Sequence, residues 1–510
     1  MSFDFDAVIV GGGFSGVLAL HRLRQSGFRC RGIEKASDLG GVWHSNRYPG
    51  ARADSPQPHY QFFDEELLEG WQWSETFPAQ PEIKEYFDHV DRRWEIKKDY
   101  DFSVAVEKAA FEPAGHFWTV HLSNGKRLST RWFILAIGQL SHAVTPTVKG
   151  MSSFQGQMSH SGNWPGHHVD WHDKRVSIVG TGASAVQIIQ ELAPKVKQLN
   201  VLQRSEMVGF PKMEASLPAA DGRGKVAFTD PAYAKHVFKT SKMYHSGFPY
   251  TFRAEKMISL SDDEVRFHHA TILAKGNWSY LLSAFKESVH DPDSNTQMYA
   301  YWAEQMREKI LDPELKDSLI PLVPSSPIGM KRPCLVSDYY ETFNRENVQL
   351  VNLRTEPMIE ITETGITTEK SHYQSDYIIW ATGFESRTAC YAEIDIHGTE
   401  DLNLASVWGT SIRSNLGMTV NGFPNMFYVY GPQSATVRVN GPTVIDEQVK
   451  WLCSTLDQLR SMNITWFEPT ESAELLWQYK IEKPWLETLY PRTQSWETRK
   501  ANSKTGEPSW

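Results

Sequence analysis

The sequence predicts an α/β protein with two Rossmann-like dinucleotide-binding units and a mainly helical insertion in the second. Three observations carry that prediction. A glycine loop, Gly11-Gly12-Gly13-Phe14-Ser15-Gly16, follows a β-rich run near the N-terminus. A second loop, Gly180-Thr181-Gly182-Ala183-Ser184-Ala185, also follows a β-rich run. Each loop leads into a segment with helical apolar spacing. Two such units in one chain imply two nucleotides.

In the first unit, Phe5 to Val10 reads as a strand and Val17 to Gln25 as a helix, with Val17, Leu18, Leu20 and Leu23 on its apolar positions. Gly11 permits the tight turn, Gly13 lets backbone approach a pyrophosphate, and Gly16 lets helix and strand pack closely. Free N–H groups at the helix start, with their partial positive charge, suit phosphate. Gly11, Gly13, Ser15 and Gly16 are therefore candidate cofactor contacts. A second strand, Cys30 to Ile33, ends at Glu34, where a carboxylate is placed to bind a ribose diol. The stretch from Gly40 to Asp54 has neither a helical nor a strand pattern. It is dense in Gly, Pro and Arg and carries Trp43 and Tyr48, as a loop wrapped around a cofactor would.

In the second unit the strand Arg175 to Val179 precedes the loop, with Gly180, Gly182 and Ser184 as candidate contacts, and Val186 to Leu192 continues as a helix. Ala185 in the third glycine place still permits close packing. The next strand, Leu199 to Leu202, ends in Gln203-Arg204-Ser205. Arginine and a hydroxyl recognise a 2′-phosphate by charge and hydrogen bonding, whereas a carboxylate repels it. Arg204 and Ser205 thus point to NADPH at the second site, which leaves FAD for the first.

Bulk properties narrow the class. The chain has 510 residues, room for two or three domains with buried cores, and a net charge of -9. That charge gives no general attraction to nucleic acid or anionic membrane. No apolar run approaches the roughly 20 residues of a membrane helix. The N-terminus enters a strand almost at once, leaving no room for a signal peptide. Cys30, Cys334, Cys390 and Cys453 lie far apart, without metal-ligand or redox spacing, so no metal is expected and a reduced, cytoplasmic setting is. Most of the 18 tryptophans are expected in core packing.

The organisation is interrupted. Residues 1–140 are expected to form the first FAD segment, ending with a strand at Trp132 to Ala136 and a return to the cofactor at Ile137-Gly138-Gln139. Residues 141–172 are expected to be a linker containing the run Phe154 to Pro165. Residues 173–205 and 328–380 would form the NADP unit, and 381–510 the last FAD segment, with a strand at Met426 to Tyr430 and a helix at Asp446 to Leu459. Between the two NADP segments, residues 206–327 read as a polar helical insertion capping the site. Helical stretches lie at Ser261 to Leu273 and Gln297 to Ile310. The aromatics from Tyr244 to Phe252 read as core or pocket wall.

Within this frame Phe154, Gly156, His160, Trp164 and Pro165 match FxGxxxHxxxWP at each fixed place. Gly40-Gly41, Trp43, Tyr48, Pro49, Gly50 and Asp54 form a second fixed set. Lys331-Arg332-Pro333, Tyr339 to Arg345 and Ala381-Thr382-Gly383-Phe384 follow in order. In these motifs the chain resembles the Baeyer–Villiger monooxygenases, within the class B flavoprotein monooxygenases, over nearly its whole length. The resemblance implies an NADPH- and O2-dependent enzyme that inserts oxygen beside a ketone carbonyl through a C4a-peroxyflavin, giving an ester or lactone. It implies Arg332 and Asp54 as the catalytic pair at the flavin, with Arg332 stabilising the anionic peroxide and Asp54 orienting Arg332. A permanently charged, planar guanidinium suits that task better than a lysine. It also implies Val42, Trp43, Tyr60, Val106 and Gln139 along FAD. Lys331 would join Arg204 on the 2′-phosphate, Arg52 and Trp496 would contact the nicotinamide nucleotide, and His160 would relay NADPH binding to the flavin side. The partners implied are a small-molecule ketone and O2, with the protein a monomer or weak homodimer.

There are departures. Glu497 to Asn502 replace a usual small, glycine-containing stretch, His44 replaces a tyrosine, and Arg438 stands in a substrate-side loop, where a solvent-facing side chain is expected. The runner-up activity is N- or S-oxygenation, which does not need Arg332. A flavin disulfide reductase is set aside because only Cys30 follows the first loop. A non-catalytic nucleotide-binding protein would have no use for both Asp54 and Arg332.

Overall fold

The computed structural model describes residues 3–213, 230–385, 388–434 and 438–493. The strand Phe5–Val10 lies between Cys30–Glu34 and Arg127–Leu135, parallel to both. Ala7, Val8 and Ile9 are fully buried, as a strand covered on both faces requires. The sheet continues past Cys30–Glu34 to Tyr100–Phe102. Past Arg127–Leu135 it continues through the antiparallel strands Phe117–Leu122 and Val106–Glu112 to Asp395–His397. Met426–Tyr428 pairs parallel with Arg127–Leu135, so residues far along the chain complete the first unit. The helix Gly441–Ser461 buries Val449, Leu452 and Leu456 in the core that holds Val17, Leu20 and Leu23 of the helix Phe14–Gln25.

The second unit is a five-stranded parallel sheet in the order Val348–Asn352, Gln198–Gln203, Arg175–Val179, Tyr377–Trp380, Gln157–His160. The insertion between Gln198–Gln203 and Val348–Asn352 is mainly helical among the described residues. It includes Pro231–Thr240, Asp262–Leu273, Pro292–Arg307 and Pro313–Leu319. Ser261 caps Asp262–Leu273 in a reciprocal box with Glu264, and Asp291 caps Pro292–Arg307 through the N–H of Ser294. Within the insertion, the Trp302 Nε1–H donates to the Gly209 carbonyl at 2.8 Å and ties the helix Pro292–Arg307 to the strand Gly209–Pro211.

Several expectations change. Both glycine-loop helices begin earlier than their apolar pattern, at Phe14 and Ala183, because the first turn serves the glycine loop rather than the core. Val42–Ser45 forms one helical turn inside the stretch read as irregular. The segment read as a linker contributes a strand: Gln157–His160 pairs with Tyr377–Trp380 at the sheet edge. Its Gln-Met-Ser-His text lacks the β-branched residues that signal a strand. Of the aromatic run, Phe248 is core, packed 5.3 Å from the His59 ring, and none of the run lines the cavity described below. No helix among the described residues is long and apolar enough to cross a membrane.

Candidate active site

A cavity of about 1720 Å³ runs between the two glycine loops. Gly11, Gly13, Ser15, Glu34, Val42, Trp43, Arg52, Asp54, Tyr60, Val106 and Gln139 line it from the first unit. Gly180, Gly182, Ser184, Arg204, Ser205, Lys331 and Arg332 line it from the second. Gly16 does not: a Cβ there would sit 1.8 Å from the Gly11 carbonyl oxygen, so its part is to let helix and strand meet. Trp496 lies outside the described residues.

The loops leave room where a phosphate chain needs it. Gly11 has φ +111°, and a Cβ there would lie 2.4 Å from the Ala136 carbonyl oxygen, so only glycine makes this turn. A Cβ at Gly13 would meet only Gly41 at 3.5 Å, and one at Gly182 nothing within 4 Å. These two glycines therefore present open backbone to the cavity at the starts of Phe14–Gln25 and Ala183–Leu192. Glu34 is buried and accepts the N–H of Gly12 at 2.5 Å and of Ala36 at 2.7 Å. A carboxylate has about four lone-pair sites, so capacity remains for a diol. The donor set fits a dinucleotide in each half.

The two halves differ in charge. Arg204, Lys331 and Arg354 all line the second half. Burial lowers the Lys331 pKa; Glu206 opposes this, and Arg354 and Arg204 push it further down. Glu206 also pairs with Arg354 at 3.6 Å. A corner that already strains one of its cations is matched to a dianion. Arg354 escaped the sequence reading. It follows the strand Val348–Asn352, whose Asn352 pairs with Gln203, so it stands beside Arg204 only because the two strands are neighbours.

Asp54 and Arg332 are joined across the cavity. The guanidinium donates to Asp54 Oδ2 from Nε at 3.1 Å and from Nη2 at 2.6 Å. Burial works against the Arg332 charge, but Asp54, through charge and hydrogen bonding, raises its pKa above the ordinary value. Asp54 is held by its neighbours: the Ala53 N–H donates to Pro78, and Arg52 forms a bridge with Ala79. Arg332 precedes the strand Cys334–Val336, which pairs parallel with Gly209–Pro211. Both partners keep part of their side-chain surface open, 29% for Arg332 and 31% for Asp54, so the pair is not sealed in the core. Beside them Trp43 Nε1–H donates to the Tyr60 hydroxyl at 2.9 Å, and Gln139 donates to the Tyr430 and Gly431 carbonyls at 3.2 and 2.9 Å.

A further cross-unit tie was not legible in the sequence. Gln187, on the helix Ala183–Leu192, accepts from the Tyr48 hydroxyl at 2.9 Å and donates to the Arg52 carbonyl at 3.1 Å. A Cβ at Gly50 would lie 2.7 Å from the Gln187 carbonyl oxygen, so glycine permits this approach. His160 lies away from the large cavity, on the edge strand, with its ring edge-on to Phe384 at 5.7 Å. Burial lowers its pKa. Arg438 does not simply face solvent: it donates from Nε to the Tyr490 hydroxyl at 3.0 Å and from Nη2 to the Gly329 carbonyl at 3.1 Å. A hydroxyl and a carbonyl brought close by the fold capture a cation that the local sequence leaves unassigned.

Comparison with known proteins identifies the family and the fold. The family model for pyridine nucleotide-disulphide oxidoreductases matches residues 5–220. The cyclopentanone 1,2-monooxygenase of a Comamonas strain is 34% identical over 491 residues, covering 96% of this chain and 88% of that protein. The chain belongs to the Baeyer–Villiger-type FAD-binding monooxygenases. The crystal structure of OTEMO in complex with FAD and NADP superposes with a TM-score of 0.93 at 31% identity, covering 98% of this chain and 94% of that one. The phenazine N-monooxygenase PhzNO1 of Lysobacter antibioticus is 32% identical over 501 residues, covering 96% of this chain and 90% of that protein, so oxygenation of nitrogen also occurs among the relatives of this monooxygenase.

Proposed function

We propose that this monooxygenase uses NADPH and O2 to insert one oxygen atom beside a ketone carbonyl, giving an ester or lactone, NADP+ and water. The observation that carries the reading is the Asp54–Arg332 pair, open to a cavity that both glycine loops enter. FAD occupies the half with Glu34, and NADPH the half with Arg204 and Lys331, where Arg354 completes the cationic corner and Ser205 adds a hydroxyl. Residues 1–140 and 381–510 serve FAD, 173–205 and 328–380 serve NADPH, and 206–327 form the cap.

Bound flavin supplies the hard chemistry, accepting hydride and activating dioxygen. The chain's own residues supply position and charge. Arg332 presents an always-protonated guanidinium to the cavity and stabilises negative charge on the attacking oxygen and then on the carbonyl oxygen as it is attacked. Asp54 keeps that guanidinium aimed and charged. Removing a donor of this kind costs about 2.7–4 kcal/mol in barrier. N- or S-oxygenation is the second reading, favoured by the phenazine N-monooxygenase among the relatives.

The test compares Arg332→Ala with the parent enzyme on cyclic, aryl and terpenoid ketones, an amine and a sulfide. Loss of ester formation with flavin reduction by NADPH intact supports ketone oxygenation. Undiminished ester formation by Arg332→Ala sinks it, and turnover of the amine or sulfide alone favours the second reading.

A further inference from the structure

Where the insertion meets the site, a single side chain touches both members of the charged pair. Trp278 is 3% exposed. Its Nε1–H donates to the backbone carbonyl of Asp54 at 2.5 Å, and the Arg332 guanidinium carbon lies 5.0 Å from its ring centroid. The indole thus acts by its edge on one partner and by its face on the other. The N–H holds the chain segment that carries the carboxylate, and the negative ring face favours the cation.

The ring itself is well supported. It packs edge-on to Phe210 at 6.5 Å. Phe210 belongs to the strand Gly209–Pro211, which pairs with the strand two residues after Arg332. Trp278 also begins the helical turn Ser279–Leu282, where the Asn277 side chain accepts the Ser279 N–H at 2.9 Å. Just before it, Gly276 has φ +58°, and its carbonyl accepts the Met213 N–H at 2.7 Å. A Cβ at Gly276 would lie 2.5 Å from that nitrogen, so glycine lets this turn seat. Trp278 and Arg332 therefore share one foundation, while Asp54 arrives from the first unit, 224 residues away in sequence.

We infer that Trp278 is a positioning residue of the oxygenating site: the insertion uses its indole N–H to latch the Asp54 segment of the first unit beneath the Arg332 guanidinium of the second. This rests on the proposed part of the Asp54–Arg332 pair. The insertion is thereby an integral part of the site as well as a cover over it. Movement of Gly276–Trp278 would pass to the pair through a hydrogen bond and a ring contact.

Trp278→Phe keeps a ring face and removes the N–H. The enzyme is reconstituted with FAD, and three quantities are read: the midpoint potential of the bound flavin, the rate of its anaerobic reduction by NADPH, and the ester formed per NADPH consumed. A cation held near the flavin favours its anionic reduced form. The expected result is a potential moved to more negative values, in the direction given by Arg332→Ala, a fall of roughly two- to tenfold in ester per NADPH, the range for an ordinary hydrogen bond, and a reduction rate within about twofold of the parent. An unmoved potential overturns the inference even if activity falls, because a defect of packing alone gives that pattern. Should Trp278→Phe not fold, 3-benzothienylalanine at position 278 keeps the bicyclic ring without the N–H and is read against the same three quantities. Arg332→Ala separates the two layers of argument. If it moves potential and ester yield while loss of the indole N–H moves neither, only the part given to Trp278 falls. If Arg332→Ala moves neither, the reading of the pair itself falls.

Discussion

Replacing Arg204 by alanine tests the charge asymmetry on which the two-nucleotide assignment rests. In the structure Arg204 shares its corner of the cavity with Lys331 and Arg354, and Glu206 already offsets part of the local charge by pairing with Arg354 at 3.6 Å. A hydrogen bond to a charged group contributes about 1.5–3 kcal/mol. Lys331 cannot take over fully, because burial and the neighbouring arginines already disfavour its charge. Losing Arg204 also removes one of the cations that depress Lys331, so that lysine recovers part of the interaction. The net loss therefore falls toward the lower half of the range, about 1.5–2 kcal/mol, or roughly ten- to thirtyfold in kcat/KM for NADPH. NADH lacks the 2′-phosphate, so kcat/KM for NADH is expected to change by less than about threefold. Steady-state oxidation of each nucleotide with one good ketone measures both values. An equal loss with NADPH and NADH would refute the reasoning, since it would place Arg204 on a part of the nucleotide common to both.

Two other outcomes follow from backbone and burial. Gly50→Ala would hold alanine at φ +76°, at about 1–2 kcal/mol, and push its Cβ to within 2.7 Å of the Gln187 carbonyl oxygen; denaturant unfolding is expected to show a loss above about 2 kcal/mol, and a loss below about 0.5 kcal/mol would mean that the loop yields freely. Burial holds the pKa values of His21, His59 and His269 down to about 4 against an ordinary 6.5. The unfolded chain then takes up protons first, so the stability contributed by each neutral ring is complete above pH 6.5 and declines toward pH 4, by roughly 2 kcal/mol per histidine at pH 5. His21→Leu is expected to flatten the fall of the melting temperature between pH 6.5 and 4.5, and an unchanged slope contradicts the assigned cause.

Much of the frame was legible because it depends on local backbone demands. Gly11 and Gly180, at φ +111° and +112°, sit directly after strands and before helices, and no other residue type makes that turn comfortably. Glu34 and Arg204 could be contrasted because each lies at the end of the second strand of its unit, a position countable from the glycine loop. Gln157–His160 was misread because an edge strand of four residues leaves little periodic signal. Arg354 was missed because the signal for it is strand adjacency, and Arg438 was misplaced because its partners, Tyr490 and Gly329, come from other segments.

The sequence alone was enough to place two dinucleotide-type glycine turns and the charge that follows each. Those are properties of short windows, where residue type constrains dihedral angles and strand ends directly. Tertiary structure alone decided how Arg332 grips Asp54, 278 residues away, through Nε and Nη2, a pairing that the sequence offered only through a family resemblance. It alone decided that Gln187 ties the units and that Trp278 stands against both partners. Contacts at such separations leave no periodicity in the chain. They arise only when two sheets and an insertion are packed together and their polar groups must find partners at the common boundary.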